Sequence, residues 1–331
     1  MNFSQLMGLT SGHVEARIVQ TAVKLRIFDA LGDEPKSAEA TSQVLHLEAK
    51  ATELLLNALT AINLLEKQAN LFSLADASKQ YLLRSSPRYV GGMIHFDASL
   101  WSCWEKLEQA LRTGKSVRPA NMYQDVAEET NTFIDAMDSL VKARGDAEIL
   151  ANAIEWQGVR ELLDIGSGPA TYPIALCRKF PELRATVFDL PATLKLTERY
   201  VAQAGMRERI HLIPGDYRSD SIPGNYDVIF LSNVVHGEDL TKNRALIGKL
   251  AGNLNAAGRV VIKDHILDDS RANPPVGALF SLLMLLTTDG GRCYSFNEIA
   301  AWLGSAGLQQ IHQVDLPPPL TSSLVIGTKS A

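Results

Sequence analysis

Apolar residues recur every three or four positions through most of the first 110 residues, the spacing of helices with one buried face. Val14, Ile18, Ala22, Leu25 and Phe28 form one such stripe, and Gly32 closes it. The pattern predicts a short helix around Ser37–Leu45 and a longer one over Ala49–Leu65, striped by Leu54, Leu55, Ala58, Leu59 and Ile62. Leu64–Leu74 is too short and interrupted for a helix and reads as a small hairpin turning at Gln68–Asn70. Helical spacing returns over Gly91–Leu111, with Ile94, Ala98, Trp101, Trp104 and Leu107. Thr113–Asn121 carries Gly114 and Pro119 and reads as a loop, and a further helix runs through Phe133, Met137, Leu140 and Val141.

The pattern changes at Arg160. Strands are predicted at Glu161–Ile165, Arg184–Phe188, Ile210–Pro214, Tyr226–Leu231 and Arg259–Asp264. Helices at Ala170–Phe180, Ala192–Gln203 and Lys242–Leu254 alternate with them. Such alternation predicts an α/β domain with a mostly parallel sheet covered on both faces. The tail departs from it: Gln309–Leu316 and Ser322–Thr328 read as a terminal antiparallel hairpin, unusual for a dinucleotide dehydrogenase domain. The expected domains are residues 1–110, mainly helical, residues 111–158, linking helices, and residues 159–331, the α/β part.

Helix, short helix, longer helix and hairpin is the order of a winged helix, a module that often binds DNA. Its would-be recognition helix, Ala49–Leu65, has only Lys50 as a basic residue, far below what phosphate contact requires. A protein contact, dimerisation, is the expected use of its surplus Leu and Ala faces. The whole chain carries 32 Lys and Arg against 37 Asp and Glu, a net −5, which also disfavours a nucleic-acid partner. The longest apolar runs, Val276–Leu286 and Leu54–Leu65, are too short to span a bilayer, and no secretory signal is evident. Cys103, Cys177 and Cys293 are scattered with no CxxC pair, which suits a reducing cytoplasm and neither a disulfide scaffold nor a structural zinc site.

The most informative segment is Leu162-Leu163-Asp164-Ile165-Gly166-Ser167-Gly168-Pro169-Ala170-Thr171. Gly166 and Gly168 stand where a strand turns into a helix, where a missing Cβ permits a tight turn and a close ligand. Asp189 ends the next strand, 21 residues beyond Gly168, where a carboxylate can accept from two ribose hydroxyls. Thr171 replaces the third glycine of a pyrophosphate fingerprint, and no GxxxxGK[ST] is present. A ligand with ribose but no phosphate fits, and S-adenosylmethionine (SAM) is such a ligand, with Asp164 placed to face its positive methionine end. The plain alternative is that Asp164 and the glycines only close a turn. Gly215-Asp216-Tyr217 follows the third strand, where Asp216 would accept from an adenine amino group and Tyr217 would stack on the ring.

With these residues in view, nearly the whole chain resembles the plant-type (family 2) SAM-dependent O-methyltransferases and their bacterial relatives. The carrying motifs are LLDIGSGPATYPIAL, VFDLP, PGDY, SNVVHGEDL and GRVVIKDHILDD. The resemblance implies a winged-helix-like dimerisation domain followed by a Rossmann-like domain with a seven-stranded sheet. It implies that Asp164, Gly166, Ser167 and Gly168 hold the methionine portion, and that Asp189 with Leu190 holds the ribose. Gly215, Asp216 and Tyr217 would take the adenine, and Ser232 falls where relatives use a lysine or another cofactor-contacting residue. The cofactor would leave as S-adenosylhomocysteine (SAH). His236 matches the family's catalytic histidine and Asp264 the acid that orients it. The chain departs from the family pattern in three places: the usual His-Asp-Trp run is His236-Gly237-Glu238, Cys293 lies near a second supporting glutamate, and His265 follows the partner acid directly.

Chemically, a phenol with pKa about 10 is mostly protonated at neutral pH, so a histidine base with a carboxylate behind it suits methyl transfer to oxygen. His236 is the expected base, with His265 as its rival and helix capping as the plain alternative for His236. No metal is expected. Trp101, Met122, Phe133, Met137, Phe280 and Met284 are candidate walls for a flat hydrophobic acceptor, and equally candidate core residues. Arg292 would bind an acidic substrate group or serve the surface. Transfer to nitrogen or carbon, and a non-enzymatic DNA-binding or scaffold protein, are the competing functions.

Overall fold

A computed structural model describes residues 1–119 and 126–331. The chain divides into two units, Met1–Leu100 with Asp135–Ala143, and Trp101–Ile134 with Arg144–Ala331.

In the first unit α1 (Phe3–Lys24) begins with a reciprocal cap. The Asn2 side chain accepts from the Gln5 N–H while the Gln5 side chain accepts from the Asn2 N–H. The stripe expected to run unbroken to Phe28 is interrupted, because Arg26 is left-handed (φ 59°) and starts a separate α2 (Ile27–Leu31). Next come β1 (Lys36–Ser37), α3 (Ala38–Leu45), capped by the Ser37 hydroxyl, and α4 (Ala49–Ala61), capped by Glu48. The α4 helix stops short of the expected Leu65, since Asn63 is left-handed and Leu65 opens a strand. β2 (Leu65–Gln68) and β3 (Leu71–Leu74) form the expected hairpin. β1 adds on the other edge to give the order β1-β3-β2. α5 (Asp76–Tyr81) and α6 (Gly91–Ser99) follow. Ile27, Phe28, Leu31, Leu56, Leu59 and Phe72 centre the core, completing a winged-helix arrangement.

The helical spacing over Gly91–Leu111 resolves into three helices, α6, α7 (Trp101–Trp104) and α8 (Leu107–Thr113), the last ended by left-handed Gly114. Residue Met122 lies outside the described residues. α9 (Ala127–Arg144) and α10 (Asp146–Ala153) lead into the sheet.

The α/β part runs β4 (Glu161–Ile165), α11 (Thr171–Lys179), β5 (Arg184–Asp189), α12 (Pro191–Gln203), β6 (Ile210–Pro214) and β7 (Tyr226–Ser232). A 3-10 turn at Val235–Gly237 precedes α13 (Leu240–Gly252), β8 (Leu254–Asp264), α14 (Pro275–Thr287), α15 (Phe296–Ser305), β9 (Gln309–Asp315) and β10 (Ser323–Thr328). The seven strands order as β6-β5-β4-β7-β8-β10-β9. β6 to β8 pair in parallel, and the terminal hairpin is antiparallel, as expected. Strand order reverses at β4, so ligand-binding loops are expected at the carboxyl ends of β4, β5 and β7. Leu163, Ile165, Ile229, Leu231, Val260 and Ile262 on one sheet face pack into a single core with Leu246, Ile247, Trp302 and Leu303 from α13 and α15. No helix among the described residues is long and apolar enough to cross a membrane.

Candidate active site

The β4–α11 loop is built as its glycines require. Gly166 and Gly168 adopt φ 63° and 61°, which cost other residues strain, and left-handed Ala170 leads into α11. The Gly166 N–H bonds the Phe188 carbonyl at 3.0 Å, and Thr197 holds the Gly168 carbonyl at 2.6 Å. Asp164 is buried beneath this loop. Its Oδ2 accepts from the Ser167 hydroxyl at 2.5 Å, while its Oδ1 is buried with no hydrogen-bond partner. Burial pushes the Asp164 carboxyl up to about 8, against the Ser167 bond and with a smaller upward push from Asp189.

Asp189 ends β5 with its carboxylate against the same loop, Oδ2 accepting from the Gly168 N–H at 2.8 Å and Oδ1 from the Leu190 N–H at 2.7 Å. Burial pushes it up to about 6, with those bonds opposing. The Thr193 side chain is a third donor to it, which leaves the carboxylate capacity for about one further hydrogen bond. Leu190 is half-buried and caps α12. Gly215 is a packing glycine: a Cβ there would lie 2.3 Å from the Phe188 ring. Asp216 Oδ1 accepts from the Arg218 N–H within its own turn. The Tyr217 ring comes within 4.0 Å of where a Gly166 Cβ would be. The Ser232 hydroxyl is buried next to the Tyr172 phenol. An unpartnered buried carboxylate oxygen, a loop opened by two glycines and a second carboxylate with acceptor capacity fit a ligand that has an ammonium and a ribose.

The second half of the site follows β7. Asn233 turns left-handed (φ 57°) and donates to the Lys263 carbonyl at 2.8 Å, which swings the 3-10 turn over the end of β8. His236 is thereby placed with Nδ1 2.8 and 3.0 Å from the two oxygens of Asp264. Nδ1–H donates to this carboxylate and Nε2 is left as the acceptor. Burial, the largest single influence, would raise the fully buried Asp264, but the charge and hydrogen bonds of His236 and His265 together hold the carboxyl below its ordinary range. Asp239, not His236, caps α13. His265 donates its backbone N–H to Asp264 Oδ1 at 2.7 Å and its Nδ1 meets the Thr321 carbonyl at 3.0 Å. Burial depresses its pKa, against the pull of Asp264. Phe280 stands between the histidines, 4.9 Å from the His236 ring and 5.1 Å from that of His265.

Among the expected wall residues, Phe280 and Met284 lie on α14, half-buried and buried, and Trp101 opens α7, which packs on that helix. The Val117 N–H bonds the Leu286 carbonyl at the end of α14 at 3.0 Å. Phe133 is half-buried in the second unit, and Met137 belongs to the stretch of α9 grouped with the first. Arg292 is committed elsewhere. Its guanidinium bonds Glu298 at 2.7 and 3.2 Å and lies 4.3 Å over the Tyr294 ring, so it braces the N-terminus of α15. Cys293 is buried, with its thiol pushed up to about 12 mainly by burial, which leaves it a poor nucleophile. Glu238 received no role from its sequence position, yet it is a buried carboxylate that joins the two halves of the site. The Tyr217 phenol donates to its Oε1 at 2.9 Å.

This architecture is that of an adenosyl-cofactor methyl-transfer domain behind a winged helix. The O-methyltransferase domain profile matches residues 104–309, and the O-methyltransferase dimerisation domain profile matches residues 7–84. The chain is 30% identical to the 3-hydroxy-5-methyl-1-naphthoate 3-O-methyltransferase of Streptomyces sahachiroi, covering 98% of this chain and 95% of that protein. It is also 30% identical to the tetracenomycin polyketide synthesis 8-O-methyl transferase TcmO of Streptomyces glaucescens, covering 98% and 96%. The solved structure of PigF with SAH, a methyl transferase from a Serratia species, superposes with a TM-score of 0.89 at 25% identity over 99% of this chain and 100% of that one. The chain belongs to the plant-type O-methyltransferase family, with its dimerisation domain, and is a SAM-dependent methyltransferase acting on small molecules.

Proposed function

We propose that the protein methylates a hydroxyl group of a small aromatic metabolite, with His236 as general base and Asp264 as its orienting acid. The observation that carries this is the pairing of His236 Nδ1 with both Asp264 oxygens, at 2.8 and 3.0 Å, beside the Phe280 ring. Two relatives at 30% identity are named for O-methyl transfer, one of them to a hydroxynaphthoate, which supports a flat aromatic acceptor.

The bound cofactor supplies an electrophilic methyl group on a sulfonium. Asp164 and the Gly166–Gly168 loop would hold its methionine end, Asp189 and Leu190 its ribose, and Asp216 and Tyr217 its adenine. Ser232, at the end of β7, would serve the same site. Phe280 packs the acceptor ring, with Met284 and Trp101 behind it. Nε2 of His236 would take the proton that the acceptor hydroxyl gives up on methylation, and Asp264 would stabilise the imidazolium and fix its tautomer. His265 has its Nδ1 on a carbonyl in place of a carboxylate, so it is assigned to the acceptor's edge. Dimerisation through the first unit is the expected assembly.

The test is single-turnover methylation of a hydroxynaphthoate panel. His236→Ala and Asp264→Asn are expected to slow it by about 10²- to 10⁴-fold while SAM affinity is kept, and His265→Gln by much less. Full activity of His236→Ala alongside a collapsed His265→Gln would transfer the base to His265. Unchanged rates in all three would remove acid–base chemistry and favour a nitrogen or carbon acceptor.

A further inference from the structure

Glu238 is only 2% exposed and stands at the junction of the two halves of the site. Its Oε1 accepts from the Tyr217 phenol at 2.9 Å and from Arg218 Nε at 2.5 Å, and Lys242 Nζ lies 3.8 Å from its Oε2. Its backbone carbonyl accepts from the Tyr294 hydroxyl at 2.6 Å and from Asn243 Nδ2 at 3.1 Å. It is two residues from His236 and closes the same 3-10 turn. The carboxylate therefore reaches from the turn that carries the base to the turn that follows β6.

Arg218 and Lys242 already supply two cations for this carboxylate, so its charge does not require the phenol. The phenol bond does something else. The para oxygen lies on the ring's own rotation axis, so a hydrogen bond there fixes the Cα–Cβ rotation, which decides where the ring sits. The ring so fixed is the one lying against Gly166. We propose that Glu238 is a positioning residue for the cofactor: it locks the Tyr217 ring against the glycine loop and thereby sets adenosyl affinity, while its backbone anchors the turn that carries His236. This rests on the proposal that Tyr217 flanks the adenine. A site whose contact surface is already held spends none of its binding free energy on ordering it.

The test is calorimetric titration with SAH of the full chain, its Asp189→Ala variant, Tyr217→Phe, Glu238→Gln, Glu238→Ala and the Tyr217→Phe/Glu238→Ala double variant. Glu238→Ala is expected to weaken SAH binding by about tenfold, the size of one lost charge-assisted hydrogen bond. Glu238→Gln retains an acceptor and is expected to recover most of that loss. Tyr217→Phe is expected to weaken binding several-fold. The double variant should match Glu238→Ala, not the product of the two single effects, because both remove one interaction. Multiplying effects, or an unchanged Kd in Tyr217→Phe, would overturn the proposal. Tyr217→Phe leaves Glu238 paired with Arg218, so this arm stands even if Glu238→Ala does not fold. Wild-type binding lost in Asp189→Ala but untouched by the Tyr217 and Glu238 variants would sink this inference alone. No SAH binding by the wild type, or none lost in Asp189→Ala, would sink the cofactor-site reading and this inference with it.

Discussion

Asp164 carries a proton at neutral pH, because burial lifts it from an ordinary 3.8 to about 8. Its folded-state pKa is above its unfolded one, so between about pH 4 and 8 the folded chain binds the proton more tightly. The stability this contributes is present at low pH and is lost as pH rises through about 8. A cationic amino group brought to the unpartnered Oδ1 would favour the ionised form. SAM binding at pH 7 is therefore expected to release up to about one proton, and fewer as pH rises above 8. Titrations in buffers of different ionisation enthalpy would measure this. Asp189, pushed up only to about 6, contributes little at that pH. Asp164→Asn should bind without releasing the proton, and a wild type that releases none would show that Oδ1 does not meet the ammonium. Asp164, Asp189, His236 and Asp264 were legible as candidates because each stands at a strand's carboxyl end or one turn beyond it. Glu238 was not, and Arg292 was legible as a candidate but not in the bracing role it takes. Their roles depend on Tyr217 and Glu298, partners that only the folded chain brings to them.

At the scale of elements, the 3-10 turn bearing His236 is backed by Gly291. A Cβ on Gly291 would sit 2.3 Å from the His236 carbonyl oxygen and 2.9 Å from the Gly237 carbonyl carbon. Both contacts are with backbone, which cannot rotate away, so Gly291→Ala must shift the turn. The expected loss is about 1–3 kcal/mol of stability and roughly ten- to a hundredfold in rate, as the base leaves its alignment. Gly248, inside α13 with nothing within 4 Å of its Cβ position, is the control. Gly248→Ala should keep activity and gain about 0.5–1 kcal/mol in thermal unfolding. Wild-type kinetics in Gly291→Ala would mean that the turn tolerates displacement. The central strands were legible because a sheet buried on both faces forces continuous apolar runs bounded by turns. The first unit's helices were legible in kind but not in number. Periodicity continues across Arg26 and across Leu100, where the backbone breaks but the buried stripe does not.

For the whole molecule, the first turns of α1 raise the question of what covers them. Residues 1–17 are all exposed, and among them are Phe3 at 79%, Leu9 at 69%, Leu6 at 49%, Met7 at 48% and Val14 at 48%. Phe3, Met7 and Val14 recur at four and seven residues, one face of a helix. An apolar face of this kind is unfavourable in water. Full burial of each such side chain contributes about 1.5–3 kcal/mol, so a second copy laid against it has a clear driving force. The dimerisation domain profile covers residues 7–84, which includes most of this helix. Light scattering is expected to give twice the chain mass, with a Tm that rises with protein concentration. Met7→Lys with Val14→Lys should return the single-chain mass and remove that concentration dependence. These side chains are exposed in the isolated chain, so the fold itself should be preserved and its circular dichroism unchanged. A double variant that stays dimeric would place the interface elsewhere on the first unit. A wild type of single-chain mass would leave the face open to a different partner.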